Sequence, residues 1–356
     1  MRNIFIFVGL FCLFSCTEKG KESVFNGEIT IMDDIKDTMY FHGNKIELDD
    51  IHAGYMSVYD SLILFITHQY PEYILSVFSL NSGKLLGRFC RKGPGPEDFR
   101  DFYHSEQYVI KDNAIKLWGY DSRKKIYLLN LTESIINNKT IIDTLLIQNW
   151  EQLNTRPWMF SFLLTSDLLL IRNAPDYYSI NNENRNFGSY RFYEKTIDNE
   201  IKRINLFNRL PKGKENTNID DYYYSLDRMR SLNDKIVLGM GYLCQINILD
   251  IESGELKGYR IKDTPDFDDL PEAKFYYTDT CVDDTFIFCL YIGKTLKENP
   301  SLSNNIIHVY DWNGIFIKKI ELDYTVNQIT FDPVGKYLYG YTNDEEIIQY
   351  DFNILY

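Results

Sequence analysis

A chain of 356 residues with 44% apolar residues carries enough hydrophobic material for one large domain or two ordinary ones. Its net charge of −13, without any run of lysine or arginine, excludes the electrostatic footprint of a nucleic-acid binder. Aromatic residues reach 15%, with 28 Tyr and 23 Phe, and such side chains suit strands.

The chain opens on "MRNIFIFVGLFCLFSC". Arg2 gives a short positive start, and Ile4 to Phe14 is an unbroken apolar run. A spanning helix needs about twenty such residues, so the run is too short to cross a membrane and reads as a secretory signal. Leu13-Phe14-Ser15-Cys16 resembles a bacterial lipobox, with Leu13 at −3 and Ser15 at −1. That resemblance implies cleavage before Cys16 and a diacylglycerol on its thiol. The polar stretch "TEKGKES" then reads as a tether. Thr17 is not the aspartate linked to inner-membrane retention in enteric bacteria, so the expected location is the outer membrane, in either leaflet.

Beyond the tether one unit recurs: a short apolar strand, a tight Asp/Asn/Ser turn, and a second apolar strand. It appears as "YMSVYDSLILFITH" (55–68), "QYVIKDNAIKLWGY" (107–120) and "FSFLLTSDLLLIRN" (160–173). It returns as "RMRSLNDKIVLGMG" (228–241), "TDTCVDDTFIFCLY" (278–291) and "QITFDPVGKYLYGY" (328–341). The turns fall near residues 60, 112, 166, 233, 283 and 334, a period close to fifty. A second hairpin follows each copy but the last. The clearest are 76–89, 246–261 and 307–322, whose Asn-Ser-Gly, Glu-Ser-Gly and Asn-Gly turns supply positive φ. Segments 126–147 and 190–207 read as the same hairpin with looser turns. Four antiparallel strands per fifty residues, six times over, predict an all-β, six-bladed propeller. The last blade has only three strands before the chain ends. "EITIMD" or "NKIELDDI" near the N-terminus is expected to supply the fourth and remove the free edge.

"RKGPGPEDFR" (91–100) falls between the outer strand of the first blade and the inner strand of the second. Proline stops a strand and glycine permits a sharp change of direction, so this is a connector from rim to centre. It lacks the GxxxxGK[ST] pattern and the following helix of a phosphate cradle. A strand ending Gly-Arg-Phe before "KGPGPEDF", with the turns in "VYDWNG" and "NILDIESGE", resembles NHL-type and TolB-like six-bladed propellers. In particular it resembles the TolB-like propeller lipoproteins of the Bacteroidetes, over roughly residues 40–356. Some members of the wider six-bladed group are calcium lactonases or lyases and many only bind. No motif here carries a catalytic role across. The expected organisation is a signal peptide over 1–15, a lipidated tether over 16–27 and the propeller over 28–356.

The chemistry-bearing residues are sparse. His42, His52, His68, His104 and His308 form no HExxH and no close pair, although His68 and His104 are expected to share a face. No GxSxG occurs, and the SxxK at Ser122 sits in a turn. Cys90, Cys244, Cys281 and Cys289 show no CxxC and read as small buried side chains. A turn at Asp283-Asp284 is expected to set Cys281 opposite Phe286 rather than Cys289. The acidic segment 262–272 offers Asp266, Asp268 and Asp269 as weak candidates for Ca²⁺, without the DxDxDG order. Trp150, Trp158, Tyr177, Tyr178, Tyr222, Tyr223 and Tyr224 fall in or beside loops, where aromatics serve recognition or cap the core.

In a four-stranded blade the inter-blade connections and the second-to-third turns emerge on one face. Nearly all long insertions belong to that set: 91–100, 173–189, 208–224, 262–275 and 293–305. The first-to-second and third-to-fourth turns, on the other face, read as uniformly short. Long loops are usually kept for function. A ligand or protein partner is therefore expected on the long-loop face, with Tyr177, Tyr178, Tyr222 and Tyr223 as anchors and no catalytic residue. The alternatives are a metal-dependent hydrolase, lactonase or lyase with a site in the central tunnel, and a glycan-binding accessory lipoprotein.

Overall fold

The computed structural model describes residues 23–95, 97–121, 125–147, 161–165, 168–173, 188–194, 200–209, 224–268 and 274–356. Three N-terminal strands come first: β1 (Glu28–Met32), β2 (Thr38–Phe41) and β3 (Asn44–Ile46). Blade one follows with β4 (Tyr55–Tyr59), β5 (Leu62–Ile66), β6 (Tyr73–Ser79) and β7 (Leu85–Arg91). Blade two holds β8 (Tyr103–Lys111), β9 (Ala114–Tyr120), β10 (Lys125–Asn130) and, after helix α1 (Leu131–Asn137), β11 (Ile142–Ile147). Blade three holds β12 (Ser161–Thr165), β13 (Leu168–Asn173), β14 (Ser189–Glu194) and β15 (Glu200–Asn205). Blade four holds β16 (Ser225–Met229), β17 (Lys235–Met240), β18 (Gln245–Asp250) and β19 (Leu256–Ile261). Blade five holds β20 (Lys274–Val282), β21 (Phe286–Thr295), β22 (Asn304–Asp311) and β23 (Phe316–Val326). Blade six holds β24 (Gln328–Asp332), β25 (Tyr337–Tyr341) and β26 (Ile347–Asp351).

The six-bladed all-β architecture is thus the one the repeat predicts. Each sheet packs between two neighbours, so its middle strands are covered on both faces and read as apolar runs. β5 (LILFI) is buried at every position, and β17 and β18 nearly so. Gly83, Gly254 and Gly314 take the positive φ that their hairpins require (67°, 76° and 79°).

The N-terminal segment does more than close the ring. β3 pairs antiparallel with β26 as the fourth strand of blade six, so "NKI" is the closing strand. "EITIM" runs parallel to β19 as a fifth strand on blade four, and β2 runs parallel to β23 on blade five. The docking begins before the boundary expected at residue 28. Val24 and Phe25 are buried, and the Phe25 ring sits 6.2 Å from Phe207 and 6.5 Å from Phe267. The last residues of the expected tether are therefore packed, because Phe25 finds an aromatic pocket.

The connector 91–100 bridges β7 to β8 and closes on itself. Phe99 N–H donates to Arg91 O (2.8 Å), Gly93 N–H to Phe99 O (3.0 Å), and Gly95 N–H to the Asp98 carboxylate (2.9 Å). A Cβ on Gly93 would lie 2.3 Å from that carboxylate, which is why glycine stands there. Phe99 is buried against Phe102 and Tyr127.

Two expectations need correction. The third-to-fourth connection of blade two is not a loose turn but contains α1. Its N-cap Asn130 accepts from Glu133 N–H, and Asn138 ends it in the left-handed conformation. Connections on that side are therefore not uniformly short. Cys281 lies opposite Phe288, not Phe286. The Asp283 carboxylate accepts from both Thr285 and Phe286 N–H, which draws the turn one residue further along. Cys289 faces Thr280, and all four described cysteines are free and buried.

Ring closure through β3 is testable. A chain starting at residue 49 loses β3 and exposes β26 as an edge, and is expected to melt broadly and aggregate. A chain starting at residue 43 keeps β3 and is expected to melt cooperatively. Calorimetry with light scattering distinguishes the two.

Candidate functional site

The inner strands of the blades converge on the axis, and charged side chains meet there. Arg228 on β16 is buried. Its Nη2 donates to Glu106 Oε1 on β8 at 3.0 Å, to Asp279 Oδ1 on β20 at 3.5 Å, and to the Tyr55 hydroxyl on β4. Its Nη1 donates to Asp227 O at 3.1 Å. The Tyr55 hydroxyl in turn donates to Glu106. One guanidinium therefore links blades one, two, four and five. β8 and β16 also touch, which pinches the axis.

Local backbone irregularity aims these acids inward. The β8–β9 register shifts between His104 and Tyr108, and Glu106 within that bulge has a left-handed φ of 55°. The β20–β21 register shifts between Tyr277 and Asp279. Bulges of this kind redirect a side chain and recur beside functional sites. His104 Nδ1 accepts the Glu106 N–H at 3.0 Å, which fixes its proton on Nε2. Burial, aided by Arg228, lowers the His104 pKa to about 3, so the ring is neutral. Burial raises Asp279 to about 7, outweighing the nearby Arg228. Burial opposes the charge on Arg228, but Glu106, Tyr55 and Asp279 together raise its pKa above the ordinary value.

A second buried network lies between blades three and four. Arg172 Nη1 donates to Ser225 Oγ (2.5 Å) and to both Asp227 oxygens (2.7 and 2.8 Å), and the Tyr190 hydroxyl also donates to Asp227. Asp227 is fully buried, and Arg172 is the cation placed against it.

Above Arg228 and Glu106 the axis widens into a cavity of about 470 Å³. Residues of blades one, two, four, five and six line it. Ser231, Asp284 and Val334 in its lining belong to the first-to-second turns of blades four, five and six. A shallower groove of about 860 Å³ lies at the rim, where the connector 91–100 and the segment after α1 meet.

The residues singled out from sequence distribute as follows. Cys16, Trp150, Trp158, Tyr177, Tyr178, Tyr222, Tyr223 and Asp269 lie outside the described residues. Tyr224 is half-buried directly before β16. Asp268 is held by Arg209 through two bonds (2.9 and 2.6 Å), and Asp266 lies 4.0 Å from Arg260 and accepts Asp268 N–H at 2.9 Å. Those two carboxylates engage arginines. No group of three or more potential metal ligands gathers among the described residues. The His68 ring packs on Tyr103 while His104 packs on Tyr55. His308 is buried against Tyr277 and Tyr291. Sequence reasoning missed Tyr55, Glu106, Arg228 and Asp279. The available signal was a charged or hydroxylated residue four to six positions before the turn in several copies of the repeat.

Residues 222–333, spanning blades four and five and the start of six, match the family described as TolB-like 6-blade propeller-like. The fold is similar to a DUF4221 family member from Bacteroides vulgatus, with TM-score 0.56 and 13% identity over 87% of this chain and 96% of that one. It is also similar to a Bacteroides fragilis protein described as exported, with TM-score 0.52 and 12% identity over 91% and 98%. The chain spans 29% of Chaetomium thermophilum Raptor at TM-score 0.46 and 10% identity. The sequence matches no curated protein.

The raised Asp279 pKa has a defined sign. Between its ordinary 3.8 and about 7 the folded protein holds a proton the unfolded chain releases, so this group's contribution to stability falls as pH rises through that window. Asp279→Asn removes the titration. The stability of the variant relative to the natural protein is expected to improve steadily from pH 4 to pH 8, measured by urea unfolding. A gap that narrows in the opposite direction overturns the assignment.

Proposed function

We propose that this chain is a lipid-anchored propeller of the cell envelope that binds a ligand or protein partner without transforming it. Export is supported by the apolar run ending in Leu13-Phe14-Ser15-Cys16 and by the likeness to an exported Bacteroides propeller. The anchor is the acylated Cys16, in the outer membrane. Several acyl chains hold a protein where one would not. No described helix is long and apolar enough to cross a membrane.

The observation that carries binding over catalysis is the state of the axial acids. The tunnel reading requires carboxylates from several blades to converge on a metal. Glu106 and Asp279 do converge, but on the Arg228 guanidinium, with Glu106 at 3.0 Å. A cation in that place would have to displace a buried arginine. The partner surface is the long-loop face, with Tyr177, Tyr178, Tyr222 and Tyr223 as anchors. Tyr224 directly precedes β16, and the tyrosine run is continuous with it in sequence. A glycan is the second ligand class for these tyrosines.

Two measurements test this reading. Cys16→Ala is expected to abolish labelling by an alkyne fatty acid and to release the protein from the membrane fraction. Retention of either defeats the anchor. Shortening 173–189 and 208–224 is expected to leave the melting temperature nearly unchanged while removing the natural chain's crosslinked envelope partners or glycan-array signal. Truncations that leave both in place defeat the loop face.

A further inference from the structure

We propose that the axial cavity on the short-turn face is a binding site for a small neutral polyhydroxylated ligand, a mono- or disaccharide. The inference is independent of the long-loop reading, since none of the cavity's lining residues belongs to the long loops.

The volume of about 470 Å³ falls within the roughly 300–1,000 Å³ of small-molecule sites. Inner strands from five blades form its walls, so the walls are as rigid as the ring. One wall is aromatic. Tyr59 stacks on Tyr108 with centroids 4.4 Å apart and planes at 16°. Tyr108 is pinned behind it by its hydroxyl bond to Ser57 Oγ at 2.7 Å. A half-buried ring held from behind suits the apolar face of a sugar.

The floor is polar and strained. Glu106 is turned into the cavity by the bulge and its left-handed backbone. Its Oε1 is occupied by Arg228 and Tyr55, whereas Oε2 has no hydrogen-bond partner among the described residues, and the side chain keeps 12% of its surface exposed. A buried-side carboxylate oxygen left open is an acceptor that a ligand hydroxyl satisfies. The backbone strain at Glu106 is the cost of presenting it.

The charges select the ligand's own charge. Glu106 is balanced by Arg228, Arg230 is paired with Asp234 at 3.2 Å, and Asp283 with Lys336 at 3.0 Å. The acid left without a cation at the mouth is Asp284, which accepts from Ser231 Oγ. An anionic ligand meets that carboxylate, and a cationic one finds beside it only Asp283, whose charge Lys336 already balances. Hydroxyls, which donate and accept at once, fit Glu106, Ser231 and the Tyr59 hydroxyl.

The test is calorimetric titration of the purified full chain, in detergent, with glucose, galactose, N-acetylglucosamine, maltose and cellobiose, against glucuronate and glucosamine as charged analogues. At least one neutral sugar is expected to bind at least tenfold more tightly than either charged analogue. Ser231→Trp fills the exposed mouth and is expected to weaken binding at least tenfold without moving the melting temperature. Tyr59→Ala is expected to weaken it similarly. Failure of every sugar to bind at millimolar concentration overturns the proposal, as does a preference for a charged analogue. Binding that Ser231→Trp leaves intact while loop shortening removes it also overturns the cavity, and places the sugar on the long loops.

Discussion

One buried guanidinium organises the centre of this molecule. Removing an arginine from water costs several kcal/mol, roughly, and the cost is recovered only when good acceptors surround it. Arg228 finds its acceptors on three other blades: Tyr55, Glu106 and Asp279. No single hairpin can satisfy it. The ring must close for the charge to be compensated, so the interaction ties the innermost strands to a single arrangement.

The perimeter obeys a complementary constraint. Each blade leaves an outer edge of unpaired backbone groups, and three of the six edges are covered by one N-terminal segment. β1 covers β19, β2 covers β23, and β3 completes blade six beside β26. Edge protection and ring closure are thus the work of the same nineteen residues, Glu28 to Ile46.

The architecture was legible because it repeats. Turn residues at a fifty-residue period and apolar runs of strand length leave few alternatives, and the three-strand final blade announces a closing strand. The helix α1 was hidden because its seven residues, LTESIIN, carry apolar positions that also suit a strand; only the Asn130 cap and Asn138 reveal it. The turn at Asp283 slipped by one residue because a side-chain cap, not the Asp-Asp pair, sets its register. The axial network was illegible for a deeper reason. Glu106, Arg228, Asp279 and Tyr55 are spread over 225 positions of sequence, and bulges decide where two of them point. A bulge has no simple signature in one sequence. Tyr177, Tyr178, Tyr222 and Tyr223 read from the sequence as aromatics in or beside loops, and they lie outside the described residues.

The claim that the axis is held by mutual charge compensation is tested most directly by a double-mutant cycle on Arg228→Met and Glu106→Gln, read by equilibrium unfolding. Each single change leaves a buried charge without its partner and is expected to cost about 3–5 kcal/mol. The double variant is expected to recover a large part, giving a coupling energy of roughly 1.5 kcal/mol or more. Effects that add to within about 0.5 kcal/mol would show that the two residues act independently, and would contradict the account.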